Sequence, residues 1–444
     1  MKIDIPEDVQ KLLNRLQNTG HEAYIVGGCV RDSLLNRTPS DWDICTSAKP
    51  NEMKDVFFDN VTISTGLKHG TITVLMNNQG YEITTFRIDG DYSDGRRPNS
   101  VKFTDDIVKD LSRRDFTINA MAYNEKEGLI DPFNGLDYLN SKVVRCVGNP
   151  NERFQEDGLR MLRAVRFASQ LGFKINRQTA ISIIDNRKLL KLISQERIRE
   201  ELNKILITEN PSSGITALRT LKLLDYIMPE LNDCHNFNQH NPNHNKDVFA
   251  HTMAVLDAID SKLELRLAAL FHDIGKPCTF AIGEDSVGHF YSHHKESARI
   301  CRKIMKRLKY SNKEIEYVSE LVYYHMTRYK SLKTSSVKKF INKVGVDRLD
   351  DLFKLLIADR IGSKAPYEFD DIYKLKFECE KLLSEKQPLS IKDLAVNGYD
   401  LMEIGIPQGK EIGKTLNILL NAVLEDFSLN DKDILLKMAI SRRL

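Results

Sequence analysis

The sequence predicts an α+β protein, because its N-terminal part mixes strand-like and helix-like segments while the rest is helical. Residues 1–140 contain short runs rich in β-branched and aromatic residues, namely AYIVG, WDICT, GTITVLM and YEITTFRI. From about residue 141, apolar residues recur every three or four positions, as in GLRMLRAVRFASQLG and RIREELNKIL. These patterns alone leave an α/β arrangement open for the first 140 residues.

The chain is long enough for several domains. It has 444 residues, of which 41% are hydrophobic and 29% charged, as in globular proteins. We expect boundaries where the pattern changes. The predicted parts are an α+β part at 1–140, a helical part at 141–231, an Asn-, His- and Pro-rich connection at 232–247, a second helical part at 248–365 and a tail at 366–444.

Composition argues against a membrane protein and against a disulfide framework. No apolar run approaches the ~18 residues of a membrane span, and the start, MKIDIPEDVQ, lacks the layout of a signal peptide. The seven cysteines are odd in number and widely spaced, without a CxxC pair. This usage is typical of reduced thiols rather than of a zinc site. We therefore expect a cytoplasmic protein; the sequence does not indicate its oligomeric state.

Two tracts of the chain are basic although the whole carries a formal charge of only +3. Residues 141–204 hold 14 Lys and Arg against 7 Asp and Glu, and residues 295–350 hold 15 against 6. Such tracts favour binding of a polyanion along the protein. Solvated helix faces are the alternative, and no aromatic-rich RNA-binding signature decides between them.

A glycine pair and a DxD pattern follow one another near the N-terminus. Gly27 and Gly28 come after the strand-like AYIVG and would expose backbone N–H groups to a triphosphate, with Arg31 available for a phosphate. If WDICT is a strand, Asp41 and Asp43 point to the same face. Paired carboxylates suit one or two Mg²⁺ ions. A lone DxD is weak evidence, but this order of glycine turn and acids predicts a nucleotidyl-transfer site.

Several ordered blocks resemble class II tRNA nucleotidyltransferases, the group of the CCA-adding enzymes and bacterial poly(A) polymerases. The blocks are GGCVRD with DWD, EITTFRIDGDYSDGRRP, RRDFTINAMAYN, DPFNGLDYL, EDGLRMLRAVRFA and ERIREEL. The tail LAVNGYDLMEIGIPQGKEIGKTLN is also similar to the end of bacterial members. The resemblance implies a nucleotidyltransferase head with a small mixed β-sheet, followed by an all-α neck, a body and a tail that contacts tRNA.

The resemblance also implies roles for single residues. Asp41 and Asp43 would be catalytic and hold Mg²⁺. On its own strand-like run, Glu82 could lie near them as a third carboxylate; a solvated strand residue is the alternative. In RRDFTINAMAY we expect a helix that begins with the two arginines and Asp115. The arginines suit phosphate binding, and Asp115 can accept a hydrogen bond from a ribose 2′-hydroxyl. A plain charge cluster at a helix N-terminus is the alternative. The implied nucleotide-binding residues are Gly27, Gly28, Arg31, Arg113, Arg114, Asp115, Asn119, Glu156, Asp157, Arg160, Arg163 and Arg166.

The block EDGLRMLR predicts how a base is selected. Asp157 and Arg160 are three residues apart and would share one face of a helix. By the resemblance, Glu156 orients this pair, which matches the edges of CTP and ATP and leaves guanine and uracil with unmatched groups. An ordinary salt bridge between Asp157 and Arg160 is the alternative.

A second constellation of histidines and acids lies in residues 251–359. The adjacent His272 and Asp273, preceded by His251 and followed by Asp359, resemble the HD phosphohydrolase superfamily, in which these four residues would bind a divalent metal. Imidazole and carboxylate ligands suit a transition metal or Mg²⁺. His293 or His294, together with His325, match the places of a second metal in some members. A structural module without activity is the alternative.

Together these patterns predict template-independent addition of CCA to tRNA 3′ ends from CTP and ATP. A-only addition and poly(A) synthesis are the alternatives, and a phosphohydrolase with an RNA-binding N-terminal half is a third. The segment IDGDYSDGRRPNSVKF (88–103) resembles a loop that CC-only enzymes lack, which disfavours CC-only addition. For the HD module we expect hydrolysis of phosphate or 2′,3′-cyclic phosphate groups.

Overall fold

A computed structural model describes residues 2–90, 100–240, 246–284, 287–327, 332–385 and 387–441. The chain divides into two compact units, Met1–Pro229 and Glu230–Leu444. The first contains a mixed β-sheet and helices, and the second is almost entirely helical, so the predicted α+β class is confirmed. Within the described residues, no helix combines the length and the apolar character that a membrane crossing requires.

The first unit is built on a seven-stranded sheet with the order β3-β4-β5-β2-β1-β8-β9. Only the pair β2–β5 is parallel among these neighbours. The strands of this unit, including two further small pairs, are β1 (Ala23–Val26), β2 (Ile44–Thr46), β3 (Thr62–Gly66), β4 (Thr71–Met76), β5 (Gln79–Thr85), β6 (Arg87–Asp89), β7 (Val101–Phe103), β8 (Ala122–Asn124), β9 (Gly128–Ile130), β10 (Val143–Val144) and β11 (Lys174–Ile175).

Helices cover this sheet and continue the unit beyond it. They are α1 (Glu7–Asn18), α2 (Gly28–Leu34), α3 (Pro50–Val56), α4 (Ile107–Ser112), α5 (Gly135–Asn140), α6 (Pro150–Glu156), α7 (Arg160–Leu171), α8 (Arg177–Asn186), α9 (Gln195–Leu206), α10 (Pro211–Thr220) and α11 (Leu224–Ile227). Helix α7 has buried apolar residues at the predicted spacing and ends at Gly172, whose φ of 70° is left-handed. Most of the segment 88–103 falls on residues 91–99, which lie outside the described residues.

Two local predictions in this unit are wrong. The run FTINAMAY is not a helix: a 3₁₀ turn at Thr117–Asn119 leads into strand β8. Pairing with the buried strand β1, where Val26 lies opposite Ala122, outweighs the helical preference of this short run. The strand expected to begin at Trp42 begins at Ile44, so the two acids of DWD directly precede it.

The second unit places its functional residues on packed helices. Its elements are α12 (Val248–Ala258), α13 (Leu263–Phe271), β12 (Phe280–Ile282), β13 (Gly288–Phe290), α14 (His293–Arg307), α15 (Asn312–Tyr324), α16 (Thr334–Val344), α17 (Leu349–Gly362), α18 (Asp370–Ser384), α19 (Gly398–Glu403), α20 (Lys410–Glu425) and α21 (Lys432–Ser441). Helices α12, α13 and α17 pack against one another, which brings residues distant in sequence into one centre.

Candidate functional site

A cavity of about 820 Å³ opens in the first unit, and the predicted nucleotide-binding residues line it with one exception. Glu156 is the exception, but its carboxylate binds Arg160, which does line the cavity. Seven arginines and five aspartates contribute to the wall. They are Arg31, Arg113, Arg114, Arg160, Arg163, Arg166, Arg197, Asp32, Asp41, Asp43, Asp115 and Asp157. This lining suits a ligand that carries several negative charges.

The glycine turn between β1 and α2 is favoured by its backbone conformation, because Gly27 has a positive φ that residues with a side chain rarely adopt. Gly27 has a φ of 83°, and a Cβ at this position would lie 2.8 Å from a guanidinium nitrogen of Arg114. The backbone N–H of Val26 donates to the carbonyl of Asp43 at 3.0 Å, because β1 and β2 are antiparallel neighbours. The turn therefore lies beside the DWD acids, as the sequence predicted.

Asp41 and Asp43 are exposed on the cavity wall. Loss of surrounding water and the charges of Asp41 and Glu82 raise the pKa of the Asp43 carboxyl, and Arg114 opposes this shift. Glu82 lies next to Asp43 because Ile83 pairs with Ile44 in the parallel β2–β5 ladder. Carboxylates that repel one another in this way form a donor set suited to a hard divalent cation.

A hydrogen-bond network joins the predicted residues on the opposite wall. Arg31 donates to Asn119 Oδ1 at 2.6 Å, and Asn119 donates to Asp115 Oδ1 at 3.3 Å. Asp115 Oδ2 accepts from Arg163 Nε at 2.7 Å. Burial would raise the pKa of Asp115, but Arg163 and Arg160 hold it below its ordinary value. Since both oxygens of Asp115 already accept hydrogen bonds, a ribose hydroxyl would have to share them.

The predicted helical pair in EDGLRMLR does not form. Helix α6 ends at Glu156, Asp157 is extended with φ −149° and ψ 106°, and α7 begins at Arg160. Asp157 instead accepts two hydrogen bonds from Arg197, at 2.7 and 3.3 Å, and Arg160 pairs with Glu156. The expectation that Asp157 and Arg160 share a helix face, or form a salt bridge with each other, is therefore wrong. Both still line the cavity, each fixed by a different partner.

In the second unit, four predicted ligands meet in one buried centre. Nε2 of His251 and Nε2 of His272 are 3.1 Å apart. Asp359 Oδ1 lies 3.0 Å from the former and 3.7 Å from the latter, and Asp273 Oδ2 lies 3.4 and 3.3 Å from them. The donor atoms of His251, His272 and Asp273 thus converge within reach of one cation, and the half-buried Asp359 adjoins both imidazoles, a set that fits a divalent metal.

The other carboxylate oxygen of Asp273 faces a second pair of histidines. Its Oδ1 is 3.3 Å from His293 Nε2 and 3.6 Å from His325 Nε2. The Nδ1 atoms of these two rings lie 3.0 and 2.6 Å from the carbonyls of Phe290 and Val322, which orients both Nε2 atoms toward Asp273. Between the two candidates, His293 joins this group, whereas the His294 ring packs on Tyr323.

Arg197 and Lys276 are among the site residues that the sequence did not predict. Arg197 lies within the block ERIREEL, but its partner Asp157 is 40 residues away, and no local spacing reveals such a pair. Lys276, in HDIGKP, is buried and contacts Asp273 Oδ2 at 2.7 Å. Although burial would raise the pKa of Asp273, Lys276 and His272 hold it well below its ordinary value.

Comparison with protein families assigns most of the chain to known domains. Residues 23–145 match the poly A polymerase head domain, and residues 172–234 match the "Probable RNA and SrmB- binding site of polymerase A". Residues 290–439 match domain 2 of tRNA nucleotidyltransferases, and residues 214–359 match the HD domain. A polymerase head and an HD domain agree with the cavity and with the histidine centre.

Full-length relatives define the family. The CCA-adding enzyme of Ligilactobacillus salivarius is 35% identical over 98% of this chain and 97% of its own length, and that of Limosilactobacillus fermentum is 34% identical over 98% and 96%. The crystal structure of the Bacillus stearothermophilus CCA-adding enzyme in complex with CTP aligns with a TM-score of 0.73 at 27% identity, covering 98% and 97% of the two chains. The chain therefore belongs to the family of CCA-adding enzymes, which are nucleotidyltransferases.

Proposed function

We propose that this protein adds C, C and A to the 3′ end of tRNA from CTP and ATP, without a nucleic-acid template. The observation that carries the proposal is the placement of Asp41 and Asp43 on the same cavity as the arginines of two further sequence blocks. The names of the full-length relatives support CCA addition over the A-only and poly(A) alternatives. The seven free cysteines fit action in the cytoplasm.

The cavity residues divide into a group for the metal and a group for the phosphates. Mg²⁺ held by Asp41 and Asp43 would promote attack of the tRNA 3′-hydroxyl on the α-phosphate of the nucleotide and would stabilise the negative charge of the pyrophosphate that leaves from it. The backbone at Gly27 and Gly28 and the guanidinium of Arg114 lie on the adjacent wall, where they would hold the triphosphate in line with the primer.

Selection of the base would use the two side chains that the structure fixes separately. Asp157 presents acceptors held by Arg197, and Arg160 presents donors held by Glu156. Cytosine and adenine each offer an exocyclic amine beside a ring acceptor, which matches one acceptor and one donor. Uracil and guanine would leave these groups unmatched, and an unmatched buried polar group causes strong rejection.

The test is isosteric removal of one carboxylate charge at a time. Asp41→Asn and Asp43→Asn should abolish nucleotide addition to tRNA while tRNA binding remains largely intact. Asp55→Asn, an exposed residue of α3, is the matched control and should retain full addition. Near-normal addition by either cavity variant would refute the proposed role of the pair.

For the HD domain we propose a second, hydrolytic activity on phosphate or 2′,3′-cyclic phosphate groups. The favouring observation is the convergence of donor atoms from His251, His272 and Asp273, with Asp359 adjoining both imidazoles. A divalent metal bound there would supply Lewis-acid activation of the phosphoester. His293 and His325 face the other oxygen of Asp273, Oδ1, where they would bind a second ion or the phosphate itself, while Lys276 contacts Oδ2.

This activity is tested with 2′,3′-cyclic AMP and p-nitrophenyl phosphate in the presence of Mg²⁺, Mn²⁺, Ni²⁺ or Co²⁺. Asp359→Asn should remove hydrolysis and spare CCA addition, whereas Asp260→Asn, a surface carboxylate of the same unit, should leave both unchanged. A purified protein that hydrolyses neither substrate with any of these metals would leave the centre as a structural element.

A further inference from the structure

Asp110, on helix α4, is a buried carboxylate behind the nucleotide cavity. It is 1% exposed, and its Oδ1 accepts hydrogen bonds from Arg113 Nε at 3.0 Å and Nη2 at 2.9 Å. Its Oδ2 lies 3.5 Å from Arg114 Nη2. Burial opposes ionisation, but the two guanidiniums hold the pKa of Asp110 below its ordinary value. Asp110 itself does not line the cavity, whereas both arginines do.

The same carboxylate is joined to the hairpin of β6 and β7. The backbone N–H of Arg87 donates to Asp110 Oδ1 at 3.2 Å. Within the hairpin, Arg87 Nε lies 3.1 Å from Asp89, and Asp89 lies 3.8 Å from Arg113. One buried charge therefore connects the base of the hairpin to the two cavity arginines.

The orientation of Arg114 matters for the rest of the cavity. Its guanidinium lies in close contact with the glycine turn at Gly27, and its charge acts directly on the Asp43 carboxyl. A long, flexible side chain keeps such a position only when a partner fixes its far end. The buried carboxylate of Asp110, which does not line the cavity, lies 3.5 Å from that guanidinium and is such a partner.

We propose that Asp110 is a positioning residue, which orients Arg113 and Arg114 toward the triphosphate. Through Asp110, the orientation of these two arginines is also linked to the β6–β7 hairpin. The inference rests on the proposed function, in which these arginines bind phosphates. Loss of the Asp110 charge leaves Arg113 and Arg114 present but removes the carboxylate with which both of them pair. Weakening hydrogen bonds to a charged group lowers affinity by roughly 10- to 100-fold, so a large effect on a phosphate-rich ligand follows.

The experiment compares the dissociation constants of CTP and CMP in the full-length protein. Asp110→Asn keeps the shape and an acceptor for Arg87 but removes the charge, and it should weaken CTP binding by roughly 10- to 100-fold and CMP binding much less. Asp110→Glu, which restores the charge, should recover part of the CTP affinity. Asp105→Asn, an exposed acid close in sequence, should change neither.

Two further variants separate positioning from stability and from the proposed function. Leu111→Ala removes a buried neighbour on α4 and should lower the melting temperature without changing the ratio of CTP to CMP affinity. An equal loss of this ratio in Leu111→Ala and Asp110→Asn would overturn the inference, because the role would then be structural. If Arg114→Ala weakens CTP but Asp110→Asn does not, only the inference is overturned. If neither weakens CTP, the phosphate-binding role falls together with the inference.

Discussion

Replacing Arg197 by methionine tests whether a fixed Asp157 selects the nucleotide. Arg197 donates to both oxygens of Asp157, and the side chains are only 18% and 13% exposed. The backbone of Asp157 is extended between helices α6 and α7, so no neighbouring turn of a helix orients its side chain. Methionine keeps most of the apolar stem of Arg197 and removes the guanidinium. One hydrogen bond to Asp157 remains, from the backbone N–H of Leu159 at 3.0 Å.

The size of the effect follows from the bonds that are lost. Hydrogen bonds to charged groups contribute roughly 1.5–3 kcal/mol each. Partial exposure and the remaining Leu159 contact reduce the combined loss, and we take about 2 kcal/mol for the pair. If this free energy is expressed in base selection, the preference for CTP over UTP falls by about 30-fold, since 1.4 kcal/mol corresponds to a factor of ten.

The assay measures kcat/KM for CTP, ATP, UTP and GTP on a tRNA primer. We expect Arg197→Met to lower the CTP to UTP ratio with little change in tRNA affinity, and Asp157→Ala to lower it at least as much. Arg199→Met, on the same helix but outside the cavity lining, should keep the wild-type ratio. A normal ratio in Arg197→Met would show that the Asp157–Arg197 pair is a structural salt bridge.

Three further outcomes are expected. Asp43→Asn should raise the melting temperature of the metal-free protein by about 1 °C at pH 7, since an exposed ion contributes only ~0.5 kcal/mol. The raised folded pKa of Asp43 makes stability fall as pH rises above its ordinary value of 3.8, so the gain should vanish below that pH; a constant gain would contradict this cause. Lys303, Lys306 and Lys309 are exposed, and reversal of their charges should weaken tRNA binding without changing CTP affinity. In a plot of the logarithm of the tRNA binding constant against the logarithm of salt concentration, the slope should become shallower by roughly 0.7–0.9 for each lost phosphate contact. An unchanged slope would exclude this surface. His325→Asn should reduce bound Mn²⁺ by about one ion per chain in equilibrium dialysis, whereas an unchanged stoichiometry would argue against a second HD metal.

Sequence patterns predicted the cavity residues better than the local structure that holds them. The acids of DWD and the arginines of RRD and EDGLRMLR lie on one cavity although Arg113 is 70 residues and Arg160 is 117 residues beyond Asp43. The helix predicted for FTINAMAY is instead a turn and a strand, because the sheet needs a partner for β1 and local preference is weak over so few residues.

The pair of Asp157 and Arg160 shows why spacing alone was insufficient. An i, i+3 interaction requires continuous helix, but the chain leaves helical geometry at Asp157. The partner that fixes Asp157 comes from α9, and only the folded chain shows this contact. In the HD centre, the sequence did not decide whether His293 or His294 belongs to the second metal group. Adjacent residues on a helix point in different directions, and in the structure His293 points toward Asp273.

The most direct test of CCA addition is primer extension on a tRNA that ends before CCA, with the purified full-length protein. We expect CTP alone to give a product two nucleotides longer, CTP with ATP to give complete CCA and no further growth, and ATP alone to give almost none. Addition of A to a CC-ended tRNA combined with no addition of C to the tRNA that ends before CCA, or an unlimited poly(A) product, would contradict the proposed function.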